Sequence, residues 1–279
     1  MQTVLTIAGF DPSSGAGVTA DLMVFAAHGL FGTSCVTALT VQSTLGVQST
    51  HPVESSVVGE TLECLCRDLP PAGIKIGMLG TVDNILIICS YLHQLKQRHE
   101  QRNPILVVLD PVLRSSSGRE LVDPAGVTLI RENMLPLVDW ITPNMDELGR
   151  LVDRQLSARE DLPLACHELQ TRVKQRSGHS LGIFATGGHL EPPDDFVLQP
   201  DGQETWLPGE RVPTRSTHGT GCALSSAFLC RLVMGDDPAN AAKAAKTYVS
   251  GALKTAKGYG SGNGPLNHLW PIINPLVSN

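Results

Sequence analysis

Several features that mark other classes of protein are missing from this chain. No run of about 18 uninterrupted apolar residues occurs, and no basic segment precedes the short apolar run at residues 4–8, so the sequence predicts neither a membrane-spanning helix nor an export signal. The 7 cysteines include no Cys-x-x-Cys pair, which argues against a zinc knuckle and for reduced thiols. We therefore expect a cytoplasmic protein with no membrane partner.

Excess basic charge is also lacking. The formal net charge of −6 argues against a broad nucleic-acid surface. No Gly-Lys-Ser or Gly-Lys-Thr sequence occurs, so the chain has no Walker A phosphate loop. The composition is that of an ordinary globular protein, with 42% hydrophobic and 17% charged residues among 279. We expect one domain, residues 1–279, that binds small molecules.

Apolar runs typical of buried strands alternate with segments of helical spacing along the chain. The predicted strands are 4–8, 33–41, 74–76, 105–109, 140–142 and 182–185, with a β-hairpin at 196–198 and 204–207. The predicted helices are 17–28, 54–67, 82–97, 124–133, 145–152, 162–177, 223–234 and 238–257. This alternation predicts an α/β fold: a three-layer, doubly wound, mostly parallel sheet with helices on both faces.

The segment at residues 216–227 is the strongest local signal. Gly219 and Gly221 allow a tight turn around Thr220, and Cys222 then falls in the first turn of an apolar helix. Such a helix start presents unpaired N–H groups to an anion, and its dipole would also favour a Cys222 thiolate. The alternative is a glycine-rich turn followed by a buried, inert cysteine.

A second glycine-rich segment follows the first predicted strand. Residues 15–20 fit the dinucleotide pattern G-x-G-x-x-A, which makes a nicotinamide-dependent oxidoreductase an alternative function. Two observations weaken this interpretation. Gly15 lies six positions after Gly9 where a tight turn is expected, and the second strand ends at neutral Gln42 rather than at a ribose-binding acid.

Oxygen-bearing side chains follow two other predicted strands. Asp110 follows the strand at 105–109, while Asn144 and Glu147 lie at the start of the helix at 145–152. Carboxylate and amide oxygens suit Mg²⁺, although Asn144 and Glu147 would also fit a helix-capping box. His218 is interpreted as a positioning or solvent-facing residue rather than a base.

Taken together, these motifs resemble those of the ribokinase-like superfamily, and within it the hydroxymethylpyrimidine/phosphomethylpyrimidine kinases of thiamine biosynthesis. Order and spacing both match over nearly the whole chain. The matching segments are residues 5–17, 20–22, 37–39, 42, 75–79, 109–112, 141–144, 187–189 and 217–222.

The resemblance implies ATP- and Mg²⁺-dependent phosphorylation of 4-amino-5-hydroxymethyl-2-methylpyrimidine and then of its monophosphate, by a homodimer. It implies a pyrimidine pocket lined by Gly9, Asp21, Gln42, Met78 and Val112. It implies Cys222 as base behind an anion hole of Gly219, Thr220 and Gly221, and a metal held at Asp110 and Glu147. It implies a nucleotide site formed by Asn144, Glu147, Thr186, Gly187, Gly188 and Gly219.

One position departs from the family pattern. Ala185-Thr186 precedes Gly187, where the pyrimidine kinases often carry a lysine that reaches the ATP phosphates. Relatives that phosphorylate pyridoxal can carry threonine there, so a pyridoxine/pyridoxal kinase is the second interpretation. Gln42 favours the first, because its amide offers both a donor and an acceptor to an aminopyrimidine. A non-catalytic ligand-binding relative is the remaining alternative.

Overall fold

In the computed structural model, which describes residues 1–99, 105–115, 118–188 and 190–273, nine strands form one sheet in the order β3-β2-β1-β4-β5-β6-β7-β8-β9. Six strands are mutually parallel, while β3 at one edge and β8 and β9 at the other pair antiparallel. The strands are β1 (Thr3–Phe10), β2 (Phe31–Ser43), β3 (Gly46–Pro52), β4 (Gly73–Ile76), β5 (Leu106–Leu109), β6 (Trp140–Ile141), β7 (Gly182–Ala185), β8 (Asp195–Leu198) and β9 (Glu204–Leu207).

Helices connect these strands and cover both faces of the sheet. They are α1 (Gly17–Ala27), α2 (Ser55–Asp68), α3 (Val82–His99), α4 (Pro124–Leu129), α5 (Met145–Val152), α6 (Asp161–Ser177), α7 (Thr220–Val233), α8 (Pro238–Lys254) and the short α9 (Trp270–Ile273). Among the described residues, no helix is long and apolar enough to cross a membrane. The three-layer, mostly parallel α/β fold predicted from the sequence is confirmed.

Two apolar clusters, one on each face of the sheet, form the core. Leu62 of α2, Ile88 of α3 and Leu169 of α6 pack with strand residues on one face. On the other face, Val24 of α1 and Phe228 of α7 pack with strand residues of that side. Because both faces are covered, the central strands are apolar on both sides, which explains their continuous hydrophobic runs.

Apart from shifts of a few residues at the ends of elements and the short α9, which the sequence did not predict, two elements differ from the sequence prediction. Edge strand β3 was missed because Gly46–Pro52 is polar and ends in proline, so backbone pairing to β2 forms it rather than an apolar pattern. The helix predicted at 124–133 is α4 only as far as Leu129 and continues as a π-turn, Ile130–Met134. Its predicted start is confirmed, since Asp123 accepts a 2.7 Å hydrogen bond from the Gly126 N–H.

A buried ion pair lies between the sheet and the α1/α7 layer. Lys75 of β4 and Asp21 of α1 are both 0% exposed, and their Nζ and Oδ2 atoms are 3.0 Å apart. Thr6 Oγ1, which neighbours Lys75 in the sheet, donates to Asp21 Oδ2 over 2.5 Å. Ser226 Oγ of α7 donates to Asp21 Oδ1 over 2.8 Å. The carboxylate therefore joins two strands and two helices.

This ion pair generates a stability prediction. Asp21→Asn would leave the Lys75 ammonium buried without its closest counter-charge, and we expect unfolding free energy to fall by about 3–5 kcal/mol in a urea titration. The control is Asp236→Asn, which removes the part-exposed pair with Arg231 and should cost at most about 1 kcal/mol. A loss at Asp21 no larger than that of the control would contradict the prediction.

Candidate active site

A cavity of about 810 Å³ opens where the parallel strands end, a size typical of small-molecule sites. It lies at the carboxyl ends of the strands, as expected for an open parallel sheet. Most residues singled out from the sequence line it: Gly9, Gln42, Met78, Asp110, Val112, Asn144, Glu147, Thr186, Gly188 and residues 219–222. Asp21 and Gly187 do not.

The start of α7 presents uncapped backbone N–H groups at the cavity. Gly219 precedes the helix with φ of 86°, and no side chain caps the helix, so the first backbone N–H groups have no partner of that kind. A Cβ on Gly219 would lie 1.8 Å from the carbonyl oxygen of Gly15, so only glycine allows the two loops to pack this closely. The uncapped donors and the helix dipole together favour a bound phosphate.

The loop after β1 has similar N–H groups, but its own side chain occupies them. The Asp11 carboxylate accepts hydrogen bonds from the N–H groups of Ser13 (2.9 Å), Gly15 (3.2 Å) and Ala16 (2.9 Å). The glycines of the dinucleotide-like pattern therefore enclose an internal carboxylate and leave no cradle for a pyrophosphate. This geometry argues against the nicotinamide alternative.

His218 connects that loop to the predicted pyrimidine pocket. Its Nε2 lies 2.7 Å from Asp11 Oδ2 and 2.9 Å from the side-chain amide of Gln42. The amide of Gln42 also accepts from Thr40 Oγ1 over 3.3 Å. His218 is only 8% exposed, so it positions Gln42 and does not face solvent.

Cys222 differs from the expectation for its thiol. The sequence suggested a thiolate favoured by the helix dipole, but burial raises the pKa of Cys222 to about 12. The nearby charge of Lys75 opposes this rise, while those of Asp110 and Asp21 add to it. The thiol is therefore protonated at neutral pH in the ligand-free protein, because desolvation outweighs the favourable field.

Asp110 and Glu147 face the same part of the cavity. The capping box is present: Glu147 N–H donates to Asn144 Oδ1 (3.0 Å) and Asn144 N–H donates to Glu147 Oε2 (2.9 Å). The Glu147 carboxyl is also 7% exposed, and burial, with the charge of Asp110, raises its pKa to about 8. Glu147 can therefore cap α5 through its backbone contacts and also offer its carboxylate to a metal ion.

Two close carboxyl groups that resist joint ionisation suit a divalent cation, which would stabilise both charges. No cluster of three or more metal-binding side chains was found among the described residues. Two carboxylates nevertheless match Mg²⁺, which commonly takes its remaining ligands from water and substrate phosphates. The donor set at Asp110 and Glu147 therefore fits that ion.

Lys75 was missed as a site residue by sequence reasoning. It lines the cavity, with its Nζ 3.9 Å from Asp110 Oδ2. Burial alone would lower its pKa, but the negative charges of Asp21 and Asp110 outweigh burial and raise the pKa, so the ammonium stays charged. The available signal was a lysine in the middle of a short apolar strand, where a charge persists only with a partner.

The structure places Asp21 differently from the family-based expectation. Its carboxylate is 0% exposed and its two oxygens accept from Thr6, Lys75 and Ser226. It lies behind the cavity wall, so it orients Lys75 and does not line the pocket.

The glycine pair after β7 is divided between wall and cavity. Gly187 donates its N–H to Asp195 Oδ1 over 2.9 Å and sits behind the wall, whereas Gly188 and Thr186 line the cavity. His189 of the same motif lies outside the described residues.

Lys246 of α8 supplies a cation beside this glycine pair, with its Nζ 2.5 Å from Asp195 Oδ2. Sequence reasoning missed Lys246 because it is distant along the chain.

Sequence relatives are similar over nearly the full chain. The chain is 36% identical over 273 residues to the hydroxymethylpyrimidine/phosphomethylpyrimidine kinase of Haemophilus influenzae, covering 96% of this chain and 97% of the relative. It is 34% identical over 271 residues to the thiamine biosynthesis bifunctional protein ThiED of Geobacter sulfurreducens. That match covers 96% of this chain but 52% of the relative, so the chain spans about half of the bifunctional protein.

Solved structures share the fold. Phosphomethylpyrimidine kinase from Clostridium difficile 630 is 29% identical with a TM-score of 0.74, covering 90% of this chain and 98% of that one. The ADP complex of Bacillus subtilis pyridoxal kinase is 26% identical with a TM-score of 0.82, covering 98% of this chain and 100% of that one. Residues 11–267 match the family model described as phosphomethylpyrimidine kinase, and the chain is a kinase that belongs to this family.

Proposed function

We propose that the chain transfers the terminal phosphoryl group of ATP to the hydroxymethyl group of 4-amino-5-hydroxymethyl-2-methylpyrimidine, and then to the resulting monophosphate, in thiamine biosynthesis. The observation that carries this proposal is one cavity that holds both the uncapped start of α7 and the Gln42 amide. The names of the sequence relatives support the same acceptor. We expect a cytoplasmic homodimer, as the family resemblance implies.

The acceptor would bind at the Gln42 side of the cavity. The Gln42 amide can donate to a ring nitrogen and accept from an exocyclic amine, and His218 and Thr40 hold it in place. Met78 and Val112 supply apolar surface there. A Cβ on Gly9 would come within 2.9 Å of Met78 Sδ, so the glycine allows the Met78 side chain to pack closely at this part of the pocket.

The phosphoryl group would lie between the start of α7 and the two carboxylates. Backbone N–H groups of residues 220–222 would stabilise the negative charge that spreads over the transferred oxygens. Asp110 and Glu147 would hold Mg²⁺, whose contribution is charge neutralisation of the phosphates. Asn144 fixes the Glu147 backbone through the capping box, and Lys75 fixes Asp110 from behind.

Proton removal distinguishes the two reactions. The alcohol must lose a proton as it attacks, and Cys222 is the proposed acceptor at the start of α7. Its pKa of about 12 without ligands means that the thiolate must form in the ligand-bound site. The negative charge of Asp110 raises the pKa of Cys222 in the ligand-free protein. Neutralisation of that charge would therefore favour the Cys222 thiolate. In the second reaction the nucleophile is already a phosphate oxygen, so a base matters much less.

Pyridoxal is the second candidate acceptor. The fold similarity to a pyridoxal kinase and the threonine at position 186 favour it. A coupled ADP-release assay with hydroxymethylpyrimidine, its monophosphate and pyridoxal at matched concentrations tests the choice. We expect at least about tenfold higher kcat/KM for the aminopyrimidine than for pyridoxal, and loss of ADP release with EDTA. Faster turnover of pyridoxal would reverse the assignment.

Gln42 should set this specificity. In Gln42→Met, the polar groups of the aminopyrimidine lose their partners. We expect the transition-state stabilisation for this acceptor, calculated from the ratio of kcat/KM values, to fall by about 1–3 kcal/mol, while pyridoxal turnover is spared. The matched control is Gln48→Met, because the Gln48 side chain is exposed on β3. An unchanged ratio of kcat/KM for the two acceptors would remove Gln42 from the pocket.

The role of Cys222 should appear in the ratio of the two reactions. We expect Cys222→Ser to slow the first phosphorylation by about 10²–10⁴-fold, as for loss of a general base, and to spare most of the second. Backbone donors at the start of α7 remain in this variant. Cys64→Ser, on the exposed face of α2, serves as control. Equal losses in both reactions, in protein of unchanged thermal stability, would show that Cys222 is not the base.

A further inference from the structure

Five cationic side chains line the cavity among the described residues, and they differ in how their charge is balanced. Three of them have a carboxylate of their own: Lys75 with Asp21, Lys246 with Asp195, and Arg211 with Glu191. The other two, Arg114 and Arg150, share the single carboxylate of Glu120. Within the part of the cavity wall that the structure describes, this pair is the one place where two cations depend on one ion-pair partner.

The shared carboxylate leaves part of the pair unsatisfied. Arg114 donates to Glu120 Oε1 from Nε (3.0 Å) and Nη2 (2.6 Å). Arg150 donates to Glu120 Oε2 from Nη2 over 2.9 Å. The Nη1 atom of Arg150 is buried and has no hydrogen-bond partner among the described residues. An unpaired guanidinium nitrogen costs free energy unless a ligand or water satisfies it.

Local structure places both arginines beside the proposed metal site. Arg150 follows Glu147 by three residues on α5, so the two side chains share a helix face. The backbone of Leu113 lies close enough to the Glu147 carboxyl to lower its pKa, and Arg114 is the next residue. A short antiparallel bridge between Arg114 and Glu120 closes this loop. Both arginines line the same cavity as Glu147, and their partial exposure places them at its mouth.

The ion pairs that hold the arginines are easily exchanged. The side chains of Arg114, Glu120 and Arg150 are 49%, 48% and 33% exposed, and such pairs contribute little stability. The carboxylate of Asp146 adds a weaker attraction on Arg114. A phosphate offers three or more acceptor oxygens and suits the planar guanidinium fork better than a single shared carboxylate does.

We propose that Arg114 and Arg150 form a phosphate-binding pair at the cavity mouth, that Glu120 holds them in place without ligand, and that the polyphosphate of the nucleotide displaces Glu120. The nucleotide is favoured because Asn144, at the start of α5, pairs with Thr186 beside the Gly188 corner. The proposal deepens the proposed function and rests on it for the identity of the nucleotide.

Equilibrium binding of ADP and AMP, measured by calorimetry in the full chain, tests the pair. We expect Arg114→Gln and Arg150→Gln each to weaken ADP binding by about tenfold, since each removes a charge-assisted hydrogen bond. The loss of binding affinity for AMP should be smaller than that for ADP. Added KCl should reduce the difference in ADP affinity between each variant and the wild type. Arg154→Gln is the matched control, because Arg154 pairs with Glu168 on the surface and does not line the cavity.

Glu120→Gln separates a ligand site from a structural salt bridge. If the arginines serve the nucleotide, removal of the competing carboxylate leaves ADP affinity equal or higher, the opposite sign from the arginine variants. If the bridge only holds the loop, all three variants weaken ADP alike, and the proposal is overturned. Unchanged ADP binding in both arginine variants also overturns it.

Binding of the phosphorylated pyrimidine distinguishes the source of the phosphate. A loss of affinity for that monophosphate, with ADP unaffected, would assign the pair to the acceptor and overturn the assignment to the nucleotide. ADP binding does not depend on which alcohol is phosphorylated. A chain that binds ADP as expected but turns over no pyrimidine would therefore refute the proposed function and leave the arginine pair intact.

Discussion

The buried contact between Lys75 and Asp21 is the constraint on which the site depends. Burial of both charges requires a complete set of partners, and Thr6 and Ser226 complete the shell around the carboxylate. Those partners come from β1, β4, α1 and α7, the elements whose loops and ends form the centre of the cavity. Through its 3.9 Å approach to Asp110, the same ammonium also fixes one wall of the proposed phosphate site. Fold and chemistry therefore share one polar cluster, and any change to it affects both.

Periodicity and strand-end residues predicted much of this arrangement. Apolar runs on a parallel sheet are long because both faces are buried, so β1, β7 and the intervening helices could be placed from the sequence. Asp110 and Asn144 follow strands and Gln42 lies near the end of β2, and topology alone brings these strand ends to one edge of the sheet. Such reasoning uses only the order of elements along the chain, which explains why it located the cavity but not the contacts within it.

The remaining features depend on three-dimensional environment. Whether Cys222 ionises is a balance between burial and several neighbouring charges, of which the sequence shows only the helix start. Asp21 could not be assigned because a lone carboxylate on a helix looks the same whether it faces solvent, a ligand or a buried lysine. Edge strand β3 could not be predicted from the sequence because backbone pairing with β2, rather than an apolar side-chain pattern, defines it. In each case the deciding interaction joins residues far apart in the chain.

The backbone N–H groups of the loop after β1 are occupied by a carboxylate of the same loop, that of Asp11. Asp11 sits among backbone donors that would otherwise attract phosphate, and because it belongs to the same chain its effective concentration exceeds that of any dissolved competitor. The neighbouring start of α7 has no such occupant. Of two adjacent sets of backbone N–H donors, one is thus occupied internally, and in the proposed function the polyphosphate would have only the other set to bind. Selectivity for one binding pose would then come from the occupied loop as much as from the open helix start.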